Sequence, residues 1–199
     1  APSGQQADWP FGAWLGSLYY GISLVLMTPQ RFLGRPARWP WAIHRYRATL
    51  SAGPNFAYEI LAAKIPDDEL EGLDLSSWRL AFNGAEPVRA ATLDHFAQRF
   101  ARHGFDARAM TPVYGLAECG LGLPFPPLGR APLVDAIDPA ALAREGVARP
   151  LSARAAEAMR VVSCGRPLRN HQVRVVDALG GEAPERTEGR IEFRGPSAT

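Results

Sequence analysis

Lysine is almost missing from this chain: Lys64 is the only one, and the other 21 of its 22 basic residues are arginine. A phosphate-gripping lysine, a Schiff-base lysine or a lysine nucleophile would have to be Lys64, which lies in Ala62-Ala-Lys-Ile-Pro66 with no glycine-rich loop around it. The expectation is a solvated lysine at a helix end. Cysteine is scarce as well. Cys119 and Cys164 stand 45 positions apart with no Cys-x-x-Cys and no paired histidine, which excludes a disulfide framework or zinc site and points to a reducing compartment. No apolar run approaches the ~20 residues of a membrane-spanning helix; the longest is Gly21 to Met27, and the opening Ala1-Pro-Ser-Gly-Gln-Gln6 lacks the apolar core of a signal peptide. Charge of one sign is also lacking. The formal net charge is +2, from 22 basic and 20 acidic residues spread along the chain, which argues against nucleic acid or an anionic membrane as partner. A soluble, cytoplasmic protein is the expectation.

What is present suffices for a core. The 199 residues are 47% hydrophobic and 21% charged, outside the range of disordered chains. The chain opens without methionine and stops at Arg194-Gly-Pro-Ser-Ala-Thr199 directly after a strand-like run, so it reads as a segment of something longer.

Ser23-Leu-Val-Leu-Met27, closed by Thr28-Pro29, has the continuous apolar character of a strand buried on both faces. Next comes a helix with Pro36 and Pro40 near its start and Trp39, Ile43 and Tyr46 at helical spacing. Ala48 to Ala52 reads as a strand, and Asn55 as the N-cap of a helix carrying Phe56, Ile60 and Ala63 on one side. The rhythm repeats: strand Trp78 to Asn83, turn Gly84 to Pro87 with proline at N1, helix Val88 to His103 with Leu93, Phe96, Ala97 and Phe100 in register, then Gly104 as its cap. Arg108 to Thr111 returns as a short strand. Such alternation predicts an α/β fold of right-handed βαβ units on a parallel sheet, with ligands beyond the carboxyl ends of the strands. The loops at Gly53-Pro54-Asn55, Asn83 to Pro87 and Tyr114 to Glu118 should therefore converge on one edge.

After Pro132 the composition shifts to Ala, Arg and Asp, with one helix expected between Asp138-Pro139 and Gly146 and another from Ser152 through Met159. From Val161 the period becomes two: Val173 to Asp177, a Gly180-Gly181 turn, and Arg190 to Arg194 predict the start of an antiparallel β subdomain.

Two stretches could carry chemistry. Gly84-Ala-Glu-Pro87 between a strand and a helix would let a planar ligand approach backbone groups, although alone it reads first as an ordinary strand-to-helix turn. Tyr114-Gly-Leu-Ala-Glu118 offers a ring to cover a base, a glycine for close approach and a carboxylate for a divalent cation, with a core tyrosine and a solvated glutamate as the equal alternative. His44, His95 and His103 read as surface or packing histidines. Cys119 and Cys164 read as small buried hydrophobes, and Trp39, Trp41 and Trp78 as core or interface packing, an acyl-channel role for one of them being the alternative.

In order, Gly84-Ala-Glu-Pro87, Tyr114-Gly-Leu-Ala-Glu118 and Gly189-Arg-Ile-Glu-Phe-Arg-Gly-Pro196 resemble the core motifs of the adenylate-forming (AMP-binding) superfamily. Leu24 to Pro29, Arg35-Pro36 with Ile43 to Ala48, Ser51 to Tyr58 and Cys164-Gly-Arg-Pro167 resemble its fatty acyl-AMP ligase branch. The resemblance covers roughly residues 12 to 196 and implies that branch's insertion at 133–160, between an α/β subdomain over 1–132 and a truncated β subdomain over 161–199. It implies an adenine loop of Gly84, Ala85, Glu86 and Pro87, Tyr114 stacked on the base, Gly115, Leu116 and Ala117 passing the phosphate, and Glu118 on Mg²⁺. Gly53, Asn55 and Phe56 would border the acyl channel. Many relatives carry threonine where Ala117 stands, so here only the backbone could serve the phosphate. The parent would use ATP and Mg²⁺ to turn a fatty acid into an acyl-adenylate. It would hand the acyl group to an acyl carrier protein or to a carrier domain of a polyketide or nonribosomal synthase. The family's phosphate loop with its lysine, its ribose aspartate and its C-terminal lid lysine have no counterpart among these residues, so the chain alone is expected to be inactive. The family's His-Asp-Met-Gly stretch is likewise not matched by Ala7 to Phe11. An acyl-CoA synthetase and a non-catalytic module binding acyl-adenylate or a carrier protein stand as alternatives.

Overall fold

A computed structural model describes residues 8–198. The elements in chain order are α1 (Asp8–Tyr20), α2 (Pro29–Gly34), α3 (Arg38–Tyr46), β1 (Leu50–Gly53), α4 (Asn55–Lys64), β2 (Leu80–Asn83), α5 (Ala90–Ala101) and β3 (Met110–Pro112). There follow β4 (Pro124–Phe125), β5 (Val134–Ile137), α6 (Pro139–Glu145), β6 (Met159–Val162), β7 (Arg166–Pro167), β8 (Gln172–Val176) and β9 (Arg190–Arg194).

Strands β1, β2 and β3 form a parallel sheet in that order, with Gly53 opposite Asn83 and Asn83 opposite Pro112. The helices of the two crossovers, α4 and α5, pack against each other. There Tyr58, Leu61, Trp78, Phe96, Phe100 and Phe105 form an aromatic core with Leu70, Leu75 and Met110. Its rings meet mostly edge to face: Tyr58 to Phe96 at 5.1 Å and Trp78 to Phe105 at 5.4 Å between centroids. The period of two shows in β2, where Ala81 and Asn83 are buried and Phe82 is half-buried against Phe125 on the other face.

Several local expectations are corrected. Ser23 to Met27 is not a strand: it pairs with no described strand, and Val25 and Leu26 are 47% and 69% exposed. An apolar run becomes a buried strand only beside a partner for its amides and carbonyls. Thr28-Pro29 instead opens α2, with Thr28 Oγ1 accepting from the Arg31 amide and Pro29 at the first helical position. Pro87 does not start α5, which begins three residues later at Ala90 after the bridge residue Arg89. Helix α4 turns Tyr58, Leu61 and Ala62 inward, while Phe56 and Ala63 are exposed, because its buried stripe is set by α5 and the aromatic core.

Beyond position 132, Asp138 caps α6 by accepting from the Ala140 and Ala141 amides, and Gly146 ends it at a φ of 66°. No helix runs from Ser152 to Met159. That stretch makes tight turns into β6, which pairs antiparallel with β5, an element that no periodicity announced. The ladder seats on α5 through the Arg89–Val161 bridge and the Arg160–Asp94 ion pair at 2.7 Å. Strands β8 and β9 form the antiparallel pair, with Asp177 and Gly181 bonded across a turn at Gly180 and a longer excursion to Gly189 before β9 begins.

Candidate functional site

The three chain segments singled out for chemistry all leave the same edge of the parallel sheet, because β1, β2 and β3 run the same way and end in register at Gly53, Asn83 and Pro112. Gly84 N–H continues the ladder to the Gly53 carbonyl at 3.4 Å and Val113 N–H to the Asn83 carbonyl at 2.9 Å. Beyond those bonds Ala85, Glu86, Pro87, Tyr114, Ala117 and Glu118 are exposed at that edge.

Gly84 is glycine for packing. A Cβ there would stand 2.8 Å from the Val113 carbonyl oxygen, so the space is taken by the neighbouring chain. Ala85 follows at a φ of 66°, a left-handed conformation costly for a residue with a Cβ. The turn aims the Glu86 carboxylate at the start of α4. Pro54 precedes that helix and offers no side-chain cap, and Glu86 Oε1 accepts from the Phe56 amide at 2.5 Å. The carboxylate thus meets the positive end of the helix from another segment.

Asn55 does not cap α4 but is its first residue, and it is buried. Its Nδ2 donates to Thr92 Oγ1 at 3.2 Å, and its Oδ1 accepts from the Arg89 amide at 3.0 Å and from Asn83 Nδ2 at 3.4 Å. It therefore ties the starts of α4 and α5 to the end of β2. Asn83 Oδ1, fully buried, has no partner among the described residues. Gly53 lies against Trp39: a Cβ would be 2.5 Å from the indole, whose Nε1 donates to Ser51 Oγ at 2.8 Å. Of the trio expected at the acyl channel, Gly53 packs on an aromatic wall, Asn55 braces the junction, and Phe56 is 46% exposed.

The loop after β3 closes on itself. Leu121 N–H donates to the Leu116 carbonyl at 3.2 Å and Leu123 N–H to the Tyr114 carbonyl at 3.0 Å, while Ala117 to Cys119 form a short 3-10 turn. A Cβ at Gly115 would fall 1.6 Å from the Leu121 oxygen, so this position is closed to any other residue without rebuilding the loop. Leu121 itself has a φ of 103°. Tyr114 stands 41% exposed at one end of the loop, and Glu118 is exposed on the turn. Just beyond it, Gly165 of the Cys164-Gly-Arg-Pro167 motif, at a φ of 93°, lies on the Phe125 backbone, where a Cβ would come within 2.1 Å.

Burial pushes the Cys164 thiol up, so it is not a ready thiolate, and burial pushes the Tyr58 phenol well up while its hydroxyl donates to the Phe82 carbonyl at 2.7 Å. Among the described residues no group of three His, Cys, Asp or Glu side chains could cage a metal ion. Mg²⁺ is commonly held by one or two carboxylates together with substrate phosphates and water, and the exposed Glu118 carboxylate fits that mode. Asn83 and Thr92 were not visible as members of this junction, since single polar residues in a strand and a helix carry no periodic signal.

The AMP-binding enzyme family matches residues 8–199. The medium-chain-fatty-acid [acyl-carrier-protein] ligase of Teredinibacter turnerae is 39% identical over 163 residues, covering 82% of this chain and 25% of that protein. The long-chain-fatty-acid AMP ligase FadD23 of Mycobacterium tuberculosis is 39% identical over 176 residues, covering 88% and 30%. The fatty acyl-adenylate ligase from L. pneumophila, solved with acyl adenylate and pyrophosphate, superposes with a TM-score of 0.88 at 34% identity, covering 94% of this chain and 32% of that one. The chain spans about a quarter to a third of the length of these relatives. With the match running over nearly all of the chain, and with loops that return to one sheet edge, the chain belongs to the AMP-binding enzyme family, its likeness directed to the fatty acyl-adenylate ligases within it.

Proposed function

We propose that this chain is the central part of a fatty acyl-AMP ligase that activates a fatty acid with ATP and passes the acyl group to a carrier protein thiol. The observation that carries the reading is the convergence of Gly84–Pro87 and Tyr114–Glu118 at the carboxyl edge of one parallel sheet, exposed and held in strained or glycine-dependent backbone. The likeness to ligases named for fatty acids and acyl carrier protein supports the substrate and the acceptor.

In the first half-reaction a fatty-acid carboxylate oxygen bonds to the α-phosphorus of ATP, the bond to the bridging oxygen breaks, and pyrophosphate leaves. The chain's contribution is to place the reactants and balance charge. Ala85 to Pro87 form one wall for adenine and Tyr114 covers its face. The Gly115–Ala117 backbone would lie along the α-phosphate, and Glu118 would hold Mg²⁺, which when bound supplies compensation for phosphate charge. Gly53, Asn55 and Phe56, backed by Trp39, border the acyl end. Glu86 serves through its backbone, because its carboxylate is engaged on α4. Residues 133–160 form the inserted unit between subdomains at 1–132 and 161–199, the β5–β6 ladder running across position 160 onto α5.

The test uses the intact protein with ATP, Mg²⁺ and a fatty acid. Fatty-acid-dependent pyrophosphate release is expected, with acyl transfer to phosphopantetheinylated carrier protein exceeding transfer to free CoA. Glu118→Gln should slow acyl-adenylate formation by about 100-fold without loss of the fold. Efficient acyl-CoA formation would reassign it to the acyl-CoA synthetases, and absence of pyrophosphate release would make it a binding module.

A further inference from the structure

The Tyr114–Glu118 loop is gripped from outside by two residues far along the chain. Ser197 Oγ donates to the Cys119 carbonyl at 2.8 Å, and His171 Nε2 lies 2.7 Å from the same Oγ. Cys119 ends the 3-10 turn that bears Glu118, so this carbonyl marks the point where the turn could swing away from the sheet edge. A carbonyl only accepts, and a serine hydroxyl has one proton. With that proton on the Cys119 carbonyl, the Ser197 oxygen is left to accept, and the partner must be a proton on His171 Nε2. On the other side of the ring, Nδ1 lies 3.1 Å from the Arg169 carbonyl. The backbone makes room for this arrangement. A Cβ at Gly195 would stand 2.3 Å from His171 Cδ2, so the ring rests where any other residue would displace it. The Ser197 side chain in turn lies beside Gly120, where an added Cβ would be 3.7 Å away.

We propose that His171 and Ser197 are positioning residues that latch the Tyr114–Glu118 loop to the β8–β9 unit, holding it in the form that receives nucleotide. The nucleotide half of this statement rests on the function proposed above; the latch does not. It joins the α/β unit to the antiparallel strands at the loop itself, so ordering of the loop depends on the seating of residues 195–198.

Hydrogen exchange of peptides covering 114–123, measured in the intact protein with and without ATP, tests the latch. Ser197→Ala should speed exchange in these peptides by about five- to tenfold, the loss of one net hydrogen bond, and leave β1 to β3 unchanged. Ser197→Thr, which keeps the hydroxyl, should restore protection. Gly195→Ala, which displaces the imidazole without altering either bonding side chain, should loosen the same peptides. Unchanged protection in both alanine variants overturns the latch, as does loosening that Ser197→Thr fails to rescue. Loosening with unchanged ATP affinity supports the latch and removes the nucleotide from the loop.

Discussion

Asn55 shows how much one side chain can organise. Its amide holds Thr92 and Arg89 at the start of α5 and Asn83 at the end of β2, so three elements meet on one buried group. Asn55→Ala would leave the Arg89 amide and the Thr92 hydroxyl short of a partner, and each buried group so stranded costs about 1–3 kcal/mol. We expect a fall of roughly that size in the free energy of urea unfolding, with the m-value unchanged. An equally stable variant would mean that water replaces the amide. Glycine at 115 is the opposite kind of residue, chosen for what it leaves out, since the Leu121 carbonyl occupies the place of a Cβ. Glycine in a Tyr-Gly-Leu-Ala-Glu run was suggestive before any fold was known; that its reason is internal to the loop emerges only from the closure between Leu116 and Leu121.

At the level of elements, local chemistry was reliable where caps and turns act within a few residues. Asp138-Pro139 and Gly146 bracket α6 as written, because an N-cap oxygen, a proline at N1 and a left-handed glycine need no distant partner. Asp138→Ala should therefore cost about 1 kcal/mol of local helix stability, seen as faster exchange of the α6 amides with α4 and α5 unaffected. The errors share a cause. Ser23 to Met27 has strand composition but no pairing strand, Ser152 to Met159 has helix formers but enters a ladder with β5, and α4 turns a different face inward from the one its Phe56 suggested. Each outcome depends on a neighbour supplied by another part of the chain.

For the whole molecule, ion pairs bind segments that the sheet does not. Arg47 at the end of α3 reaches Asp74 and Ser76 in the approach to β2, with Arg47 to Asp74 at 2.5 Å. The Ser76 amide, the Ser76 hydroxyl and the Arg47 guanidinium hold the Asp74 carboxyl down at about 2. A carboxyl with its folded-state value below its unfolded value near 3.9 contributes stability that is complete above the unfolded value and lost as pH falls through the folded one. Asp74→Asn should lower thermal stability at neutral pH and flatten the acid limb between about pH 4 and pH 2, so that the variant and the unaltered protein converge at the acid end. A variant whose acid limb matches that of the unaltered protein would show that solvent screens the pair.

The alternation of Ala48–Ala52, Asn55–Lys64, Trp78–Asn83 and Val88–His103 was enough to determine a parallel α/β sheet and the edge where its loops gather, since helical and strand periodicities are local and the crossover handedness is general. The same is true of the ordered motifs at 84–87 and 114–118, which are contiguous in the chain. What only the tertiary structure decided is the bracing of those motifs: Glu86 on the Phe56 amide, Asn55 between three elements, and Ser197 with His171 on the Cys119 carbonyl. These contacts join residues 26 to 78 positions apart through single polar atoms. Such pairings leave no period and no motif, and they form only when packing of the aromatic core and the β ladders has brought the segments within hydrogen-bonding distance.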